Sequence, residues 1–277
     1  MSKANFETIQ LESKGPIAIL TLNRPERLNA ISVQMKLDLA AALDQIEADD
    51  TIKVLVLRGA GRAFCAGFDL KDETDVEVEP TGVDHWRPEL KRDFEAIMRF
   101  WYFKKPTISA IHKYALAGGF EMAIACDITI AAEGTRLGEP ELKFGSGIVA
   151  LLLPWLTSPK KAKEVILTGN DRLDARDGLA FGFVNRVVPA GEEFDTAMAI
   201  ARDIAVMDMH SVQMTKEAIN RTYEIMGMNQ ALRMALDVDV QIESLETPER
   251  KTFSEISKKE GLKAAIAWRD ARFSEGR

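Results

Sequence analysis

The 277-residue chain has only two cysteines, Cys65 and Cys126, and three histidines, His85, His112 and His210. Two thiols cannot build a disulfide framework. They do not stand at zinc-ligand spacing either, so no dedicated metal site is expected. No stretch reaches the ~18 consecutive apolar residues needed to cross a bilayer, and the opening MSKANFETIQ has no basic segment followed by an apolar run. A soluble, cytoplasmic protein is the expectation. Basic residues are outnumbered, 36 Lys and Arg against 43 Asp and Glu, for a net charge of −7. That balance disfavours nucleic acid and anionic membranes as partners. Any anionic ligand must be met by a few placed cations or by main-chain N–H groups. With 46% apolar and 29% charged residues, the composition excludes a disordered chain, and no internal repeat suggests a solenoid.

What is present is a change of pattern along the chain. Phe6 to Leu11 and Ile17 to Leu22 read as strands around a Lys14-Gly15-Pro16 turn. From Ser32, a plausible N-cap, Met35, Leu39, Ala42, Leu43 and Ile46 recur at helical spacing. Val54 to Leu57 is continuously apolar and reads as a strand buried on both faces. Residues 71 to 88 are acidic with few apolar positions and read as a mobile surface loop, followed by a helix from Leu90 to Phe103 and a strand from Thr107 to Ile111. Ala117-Gly118-Gly119 opens an apolar helix through Ala125, and Ile128 to Ala131 is a further buried strand. Beyond about residue 150 helices dominate (160–167, 175–180, 194–205, 211–226, 229–245 and 260–271), interrupted by a strand at 183–188. The class is α/β, with an α/β core over 1–200 and a helical region over 201–277.

Two glycine turns follow buried strands: Ala63-Phe64-Cys65-Ala66-Gly67-Phe68-Asp69-Leu70 and Tyr114-Ala115-Leu116-Ala117-Gly118-Gly119-Phe120-Glu121. One N–H from each could converge on a single oxygen and stabilise an enolate, by about 3–4 kcal/mol per donor. Close approach of a strand to a helix would explain Gly118-Gly119 equally well. Glu121 lies just inside an apolar helix, where it faces a partner, a ligand or the helix terminus. Glu141, in a polar turn, reads by itself as surface charge. Neither cysteine has a histidine beside it, and both read as small buried residues rather than nucleophiles.

The run Asn23-Arg24-Pro25-Glu26-Arg27-Leu28-Asn29-Ala30, the two glycine turns, Leu137-Gly138-Glu139-Pro140-Glu141 and Gly182-Phe183-Val184-Asn185-Arg186-Val187-Val188 occur in order along the chain. Together they resemble the enoyl-CoA hydratase/isomerase (crotonase) superfamily. The resemblance implies a spiral of ββα units with C-terminal helices that build homotrimers, commonly paired into homohexamers. It implies an acyl-CoA thioester as partner, its carbonyl oxygen between the N–H groups of Phe68 and Gly118. Glu121 and Glu141 would hold the water added across a 2,3 double bond, with no cofactor beyond the coenzyme A of the substrate. For coenzyme A it points to Arg24, Arg27 and Lys71, to main chain at Cys65 and Ala66 for adenine, and to the adjoining Asp69 and Leu70. Lys258, Lys259 and Arg269 could approach from the C-terminal helices.

One departure stands out. Where many hydratases carry Pro-Gly-x-Gly-Gly after the second glutamate, this chain has Ile148-Val149-Ala150-Leu151-Leu152. It also has Val149 and Phe94 where family dehalogenases place Asp and His, which removes that chemistry, and dienoyl-CoA isomerases also need the Asp at 149. A Δ3-Δ2-enoyl-CoA isomerase needs chiefly the Glu141 type of acid/base, and crotonase-type hydrolases and lyases reuse the same oxyanion hole. The reading from a different class is a non-catalytic acyl-CoA-binding or scaffold protein, and the presence of both Glu121 and Glu141 argues against it.

Overall fold

The computed structural model describes residues 6–70 and 82–274. Its strands are β1 (Ile9–Lys14), β2 (Ile17–Leu22), β3 (Val54–Gly59), β4 (Thr107–Ile111), β5 (Tyr114–Leu116), β6 (Ile128–Ala132), β7 (Arg136–Gly138), β8 (Leu173–Asp174) and β9 (Arg186–Val188). Six of them form one sheet in the order β1-β2-β3-β4-β6-β9, antiparallel between β1 and β2 and parallel elsewhere. The other three form a small sheet, β5-β7-β8.

The continuous apolar runs follow from burial on both faces. Successive side chains of a strand alternate in direction. Ile17, Ile19, Val54, Val56, Ile108 and Ile130 therefore pack with Ala197, Met198 and Ala201 of the helix Glu193–Ala205. Ala18, Leu20, Leu55, Leu57 and Ile111 face the opposite layer, with Met35, Leu39 and Leu43 of Val33–Ala48 and Ile97 and Phe100 of Val83–Trp101. Ser32 caps the first of these helices, its hydroxyl accepting the Met35 N–H at 3.1 Å. Because Glu193–Ala205 packs on one face of the six-stranded sheet, the boundary expected between residues 200 and 201 falls inside an element of that layer.

The chain climbs by repeating one unit. β4 leads directly into β5 and then the helix Gly118–Ala125; β6 leads into β7 and then a short 3-10 turn, Glu141–Lys143. The small sheet is extended by isolated parallel bridges that pair Cys65 with Ala115 and Ile31 with Phe68. Each turn of the spiral thus brings one strand end, and the residues after it, to the same edge.

Several boundaries differ from the sequence reading. The first strand covers 9–14 rather than 6–11, because pairing runs up to the Gly15 turn, with Lys14 opposite Ile17. The region read as a loop to residue 88 is helical from Val83 onward despite Pro88, since Trp86 and Leu90, four apart, both turn inward to the core. Residues 71–81 of that expected loop lie outside the described residues. The last strand is short, Arg186–Val188, and a helix that the sequence reading omitted, Pro248–Glu260, precedes Leu262–Ser274. No described helix is long and apolar enough to cross a membrane.

Candidate active site

The two glycine turns meet through main-chain pairing. The Cys65 N–H donates to the Tyr114 carbonyl, and the Leu116 N–H donates back to the Cys65 carbonyl, both at 3.1 Å. Gly67, at φ +101°, turns the chain beside Ala117, and a Cβ on Gly67 would lie 2.6 Å from that of Ala117. Gly119 is equally constrained, since a Cβ there would fall 2.6 Å from the Cys65 carbonyl oxygen. Close approach and outward-facing N–H groups are therefore one arrangement. Among the described residues, neither the Phe68 nor the Gly118 N–H donates a hydrogen bond, whereas the flanking Ala117 and Asp69 N–H groups are used by Gly138 and Ile31. The Phe68 ring rests on Gly118, a Cβ at that glycine meeting the ring at 2.5 Å.

Glu121 sits in the first turn of a helix whose every residue is buried. Its Oε2 accepts the Ala150 N–H at 3.2 Å, and its Oε1 has no hydrogen-bond partner. The glycine-free segment 148–152 thus supplies a donor that positions the catalytic-type carboxyl, which no spacing in the sequence had indicated. The turn Glu141–Lys143 brings Glu141 to the same place, and a third carboxyl, Glu139, joins them. Oxygens of Glu121, Glu139 and Glu141 lie within 4.8 Å of one another. Glu139 is absent from the sequence prediction, although a second glutamate two residues before Glu141, across a proline, was the available signal.

Three carboxyls this close, two of them buried, cannot all ionise. Burial, followed by the Glu141 charge, raises Glu121 well above the ordinary carboxylate range, with the Ala150 N–H opposing. Burial and the charges of Glu141 and Glu121 raise Glu139 similarly. Glu141 is pushed up to about 8 by burial, against hydrogen bonding that includes Glu139. A hydrogen bond between two carboxyls requires a proton on one of them, so the cluster holds protons at neutral pH and titrates as a unit. Its oxygens are hard donors of the kind magnesium or calcium takes, but a cation would have to displace those protons.

Glu141, Phe68, Ala117 and Val149 line a cavity of about 560 Å³. Of the residues expected to meet coenzyme A, Arg27, Ala66, Asp69 and Leu70 line it too. Arg24 does not: its guanidinium pairs with Asp69 at 2.9 Å and donates to the Ala30 carbonyl at 2.6 Å, tying the two segments together. Cys65 is fully buried with both main-chain groups consumed by pairing, and the Ala66 N–H donates to Leu28, while among the described residues no main-chain N–H donates to the Ala66 carbonyl. Burial raises both thiols, Cys65 and Cys126, to about 12, as expected of inert packing residues. Lys71 lies outside the described residues. Lys258 and Lys259 stand on Pro248–Glu260, whereas Arg269 lines the cavity, stacked 4.1 Å over the Phe144 ring. Arg62, which the sequence reading omitted, lines the cavity beside Arg27, and neither forms an ion pair with a described residue.

The sequence profile of the Enoyl-CoA hydratase/isomerase family matches residues 12–275. A Rhizobium meliloti protein named "Probable enoyl-CoA hydratase" is 32% identical over 276 residues, covering 97% of this chain and 98% of its own length. The crystal structure of an enoyl-CoA hydratase/isomerase from Xanthobacter autotrophicus Py2 superposes with a TM-score of 0.94 at 50% identity, over 97% of this chain and 99% of that one. An enoyl-CoA hydratase from Mycobacterium smegmatis gives 0.87 at 25% identity, over 97% and 94%. Similarity of this extent covers the spiral, both glycine turns and the carboxyl-bearing segments alike, and the chain belongs to the enoyl-CoA hydratase/isomerase family.

Proposed function

We propose that the protein is an enoyl-CoA hydratase that adds water across the 2,3 double bond of an acyl-CoA thioester. The observation that carries this is the pairing of Glu121, buried, with Glu141, half-buried, close together and each with an oxygen lacking a hydrogen-bond partner, beside a cavity lined by Phe68 and Ala117 at the two glycine turns. A water held between the two carboxyls faces Cβ of the substrate. In the form of the coupled cluster that leaves Glu121 ionised and the proton on Glu141, the hydroxyl adds to Cβ while the water's proton passes to the Glu121 carboxylate. The electrons move to the thioester oxygen, where the Phe68 and Gly118 N–H groups stabilise the enolate. Glu141, protonated at neutral pH, gives its proton to Cα, and transfer from Glu121 restores it.

Coenzyme A is carried by the substrate, so the reaction calls for no further cofactor. Arg27 and Arg62 are the cations we assign to its phosphates, with Arg269 at the far wall and the Ala66 carbonyl toward adenine. Exposed Ile225, Met226 and Leu245 on and after the C-terminal helices support a homotrimer or a pair of them, and we place the protein in the cytoplasm. The test is incubation with crotonyl-CoA read by mass. Gain of one water that is lost in Glu121→Gln and Glu141→Gln supports hydration. Unchanged mass with a moved double bond would indicate the isomerase reading, and release of free coenzyme A the hydrolase.

A further inference from the structure

We propose that Asp239 selects the acyl group, pairing with a hydrogen-bond donor, a hydroxyl or an amine, carried on the substrate's tail. The proposal rests on the acyl-CoA reading above and extends it to a substrate class: polar-tailed acyl thioesters rather than plain alkyl ones. Asp239 projects from the helix Met228–Glu243, is 3% exposed, and lines the same cavity as Glu141 and Val149. Neither of its carboxyl oxygens has a hydrogen-bond partner among the described residues. The Gly147 amide lies alongside and favours the ionised form, and the glycine itself makes room, since a Cβ there would fall 2.0 Å from Oδ1.

Two cations that reach carboxyls of this cavity pair with those carboxyls rather than with Asp239. Lys36 pairs with Asp93, and Arg250 pairs with Glu243 at 2.5 Å. Burial, followed by the like charges of Glu243 and Asp93, raises Asp239 to about 7, with the Gly147 amide and the more distant Arg250 charge only partly opposing. A buried carboxyl without a partner destabilises a fold, and an apolar residue of similar size would pack there at no such cost. The proposed hydration does not need it either, because Glu121 and Glu141 already provide base and acid. What remains unmet is a donor from the ligand. Trp86, Leu90 and Val149 line the apolar part of the cavity, so a tail that ends in a donor would satisfy Asp239 where an alkyl tail would leave it orphaned.

Calorimetric titration of the whole protein with saturated acyl-CoA thioesters tests this without relying on turnover. Butanoyl to octanoyl chains are each compared with the analogue in which a terminal hydroxyl or amine replaces the terminal methyl at equal length. At one chain length the polar analogue is expected to bind at least about tenfold tighter, the lower range for a hydrogen bond to a charged group. Asp239→Leu should reverse that preference, and Asp239→Asn should retain part of it for the hydroxyl and little for the amine. Preference for the amine alone would identify a cationic tail, and preference for both a neutral donor. The proposal is overturned if the alkyl thioester binds as well as its polar partner at every length, or if Asp239→Leu leaves the preference intact. Should Asp239→Leu fail to fold, the wild-type comparison and Asp239→Asn still decide. A clear polar preference without hydration of any 2-enoyl thioester would sink only the hydratase reading; no binding of any acyl-CoA would sink both.

Discussion

Replacing Glu141 by Gln should make the protein more stable at alkaline pH while abolishing hydration. The ordinary value of a glutamate is 4.5, and burial moves Glu141 to about 8. A carboxyl whose folded value is raised contributes its full stabilisation below the unfolded value and loses it as pH rises through the folded one. Wild-type stability should therefore fall between about pH 4.5 and about pH 8, the window that these two values set. The interval spans about 3.5 pH units, and at about 1.36 kcal/mol per unit it gives about 5 kcal/mol. Glu139 and Glu121 share the same titration, so this figure is a ceiling on what removing the Glu141 charge recovers. Glutamine keeps the shape and removes the charge. At pH 9 Glu141→Gln should exceed wild type by up to that amount, or roughly 10 °C in Tm at about 2 °C per kcal/mol. At pH 4, where wild-type Glu141 is protonated, the two should coincide. Thermal unfolding followed by circular dichroism from pH 4 to 9 is the measurement. Parallel wild-type and variant curves across that range would refute the reasoning, because they would mean Glu141 titrates at the same pH folded and unfolded.

Two further outcomes follow from the turns and the cavity rim. Gly67→Ala forces a side chain at φ +101° against Ala117. It should cost more than about 1 kcal/mol of stability and, by parting the two N–H donors, lower kcat by roughly a hundredfold; unchanged kcat in a folded variant would dissociate these turns from enolate stabilisation. Arg27→Ala and Arg62→Ala should raise KM for acyl-CoA and flatten its dependence on salt while sparing kcat, checked by steady-state kinetics at two ionic strengths. A KM that ignores both substitutions would place the phosphates elsewhere.

Much of the sheet was legible because its signals are local. Val54 to Leu57 is apolar without alternation, and the structure buries both of its faces, one on Glu193–Ala205 and the other on Val33–Ala48. Ser32 was readable as a cap because the hydroxyl acts within three residues. The errors arose where distant contacts overrode composition. Val83–Trp101 begins amid acidic residues and contains Pro88, yet Trp86 and Leu90 find the core and hold it helical. β5, β7 and β8 are two or three residues long, too short for a periodicity, and exist because successive turns of the spiral stack at one edge.

The same division runs through the site. By itself the sequence determined the residue types and their local geometry: glycines where the backbone must turn or be approached closely, Glu121 one turn inside an apolar helix, and a net charge that leaves anion recognition to placed groups. It could not bring Glu121 to Glu141, add Glu139 to them, give Glu121 the Ala150 N–H, or aim Asp239 into the cavity. Arg24 was read as a ligand cation because a sequence shows charge but not partner; the fold spends it on Asp69. Proximity between residues far apart in the chain, and the desolvation that raises a carboxyl from 4.5 to about 8, are properties of packing. They arise only once the spiral has closed water out, so the tertiary structure alone decided which of the readable residues act together.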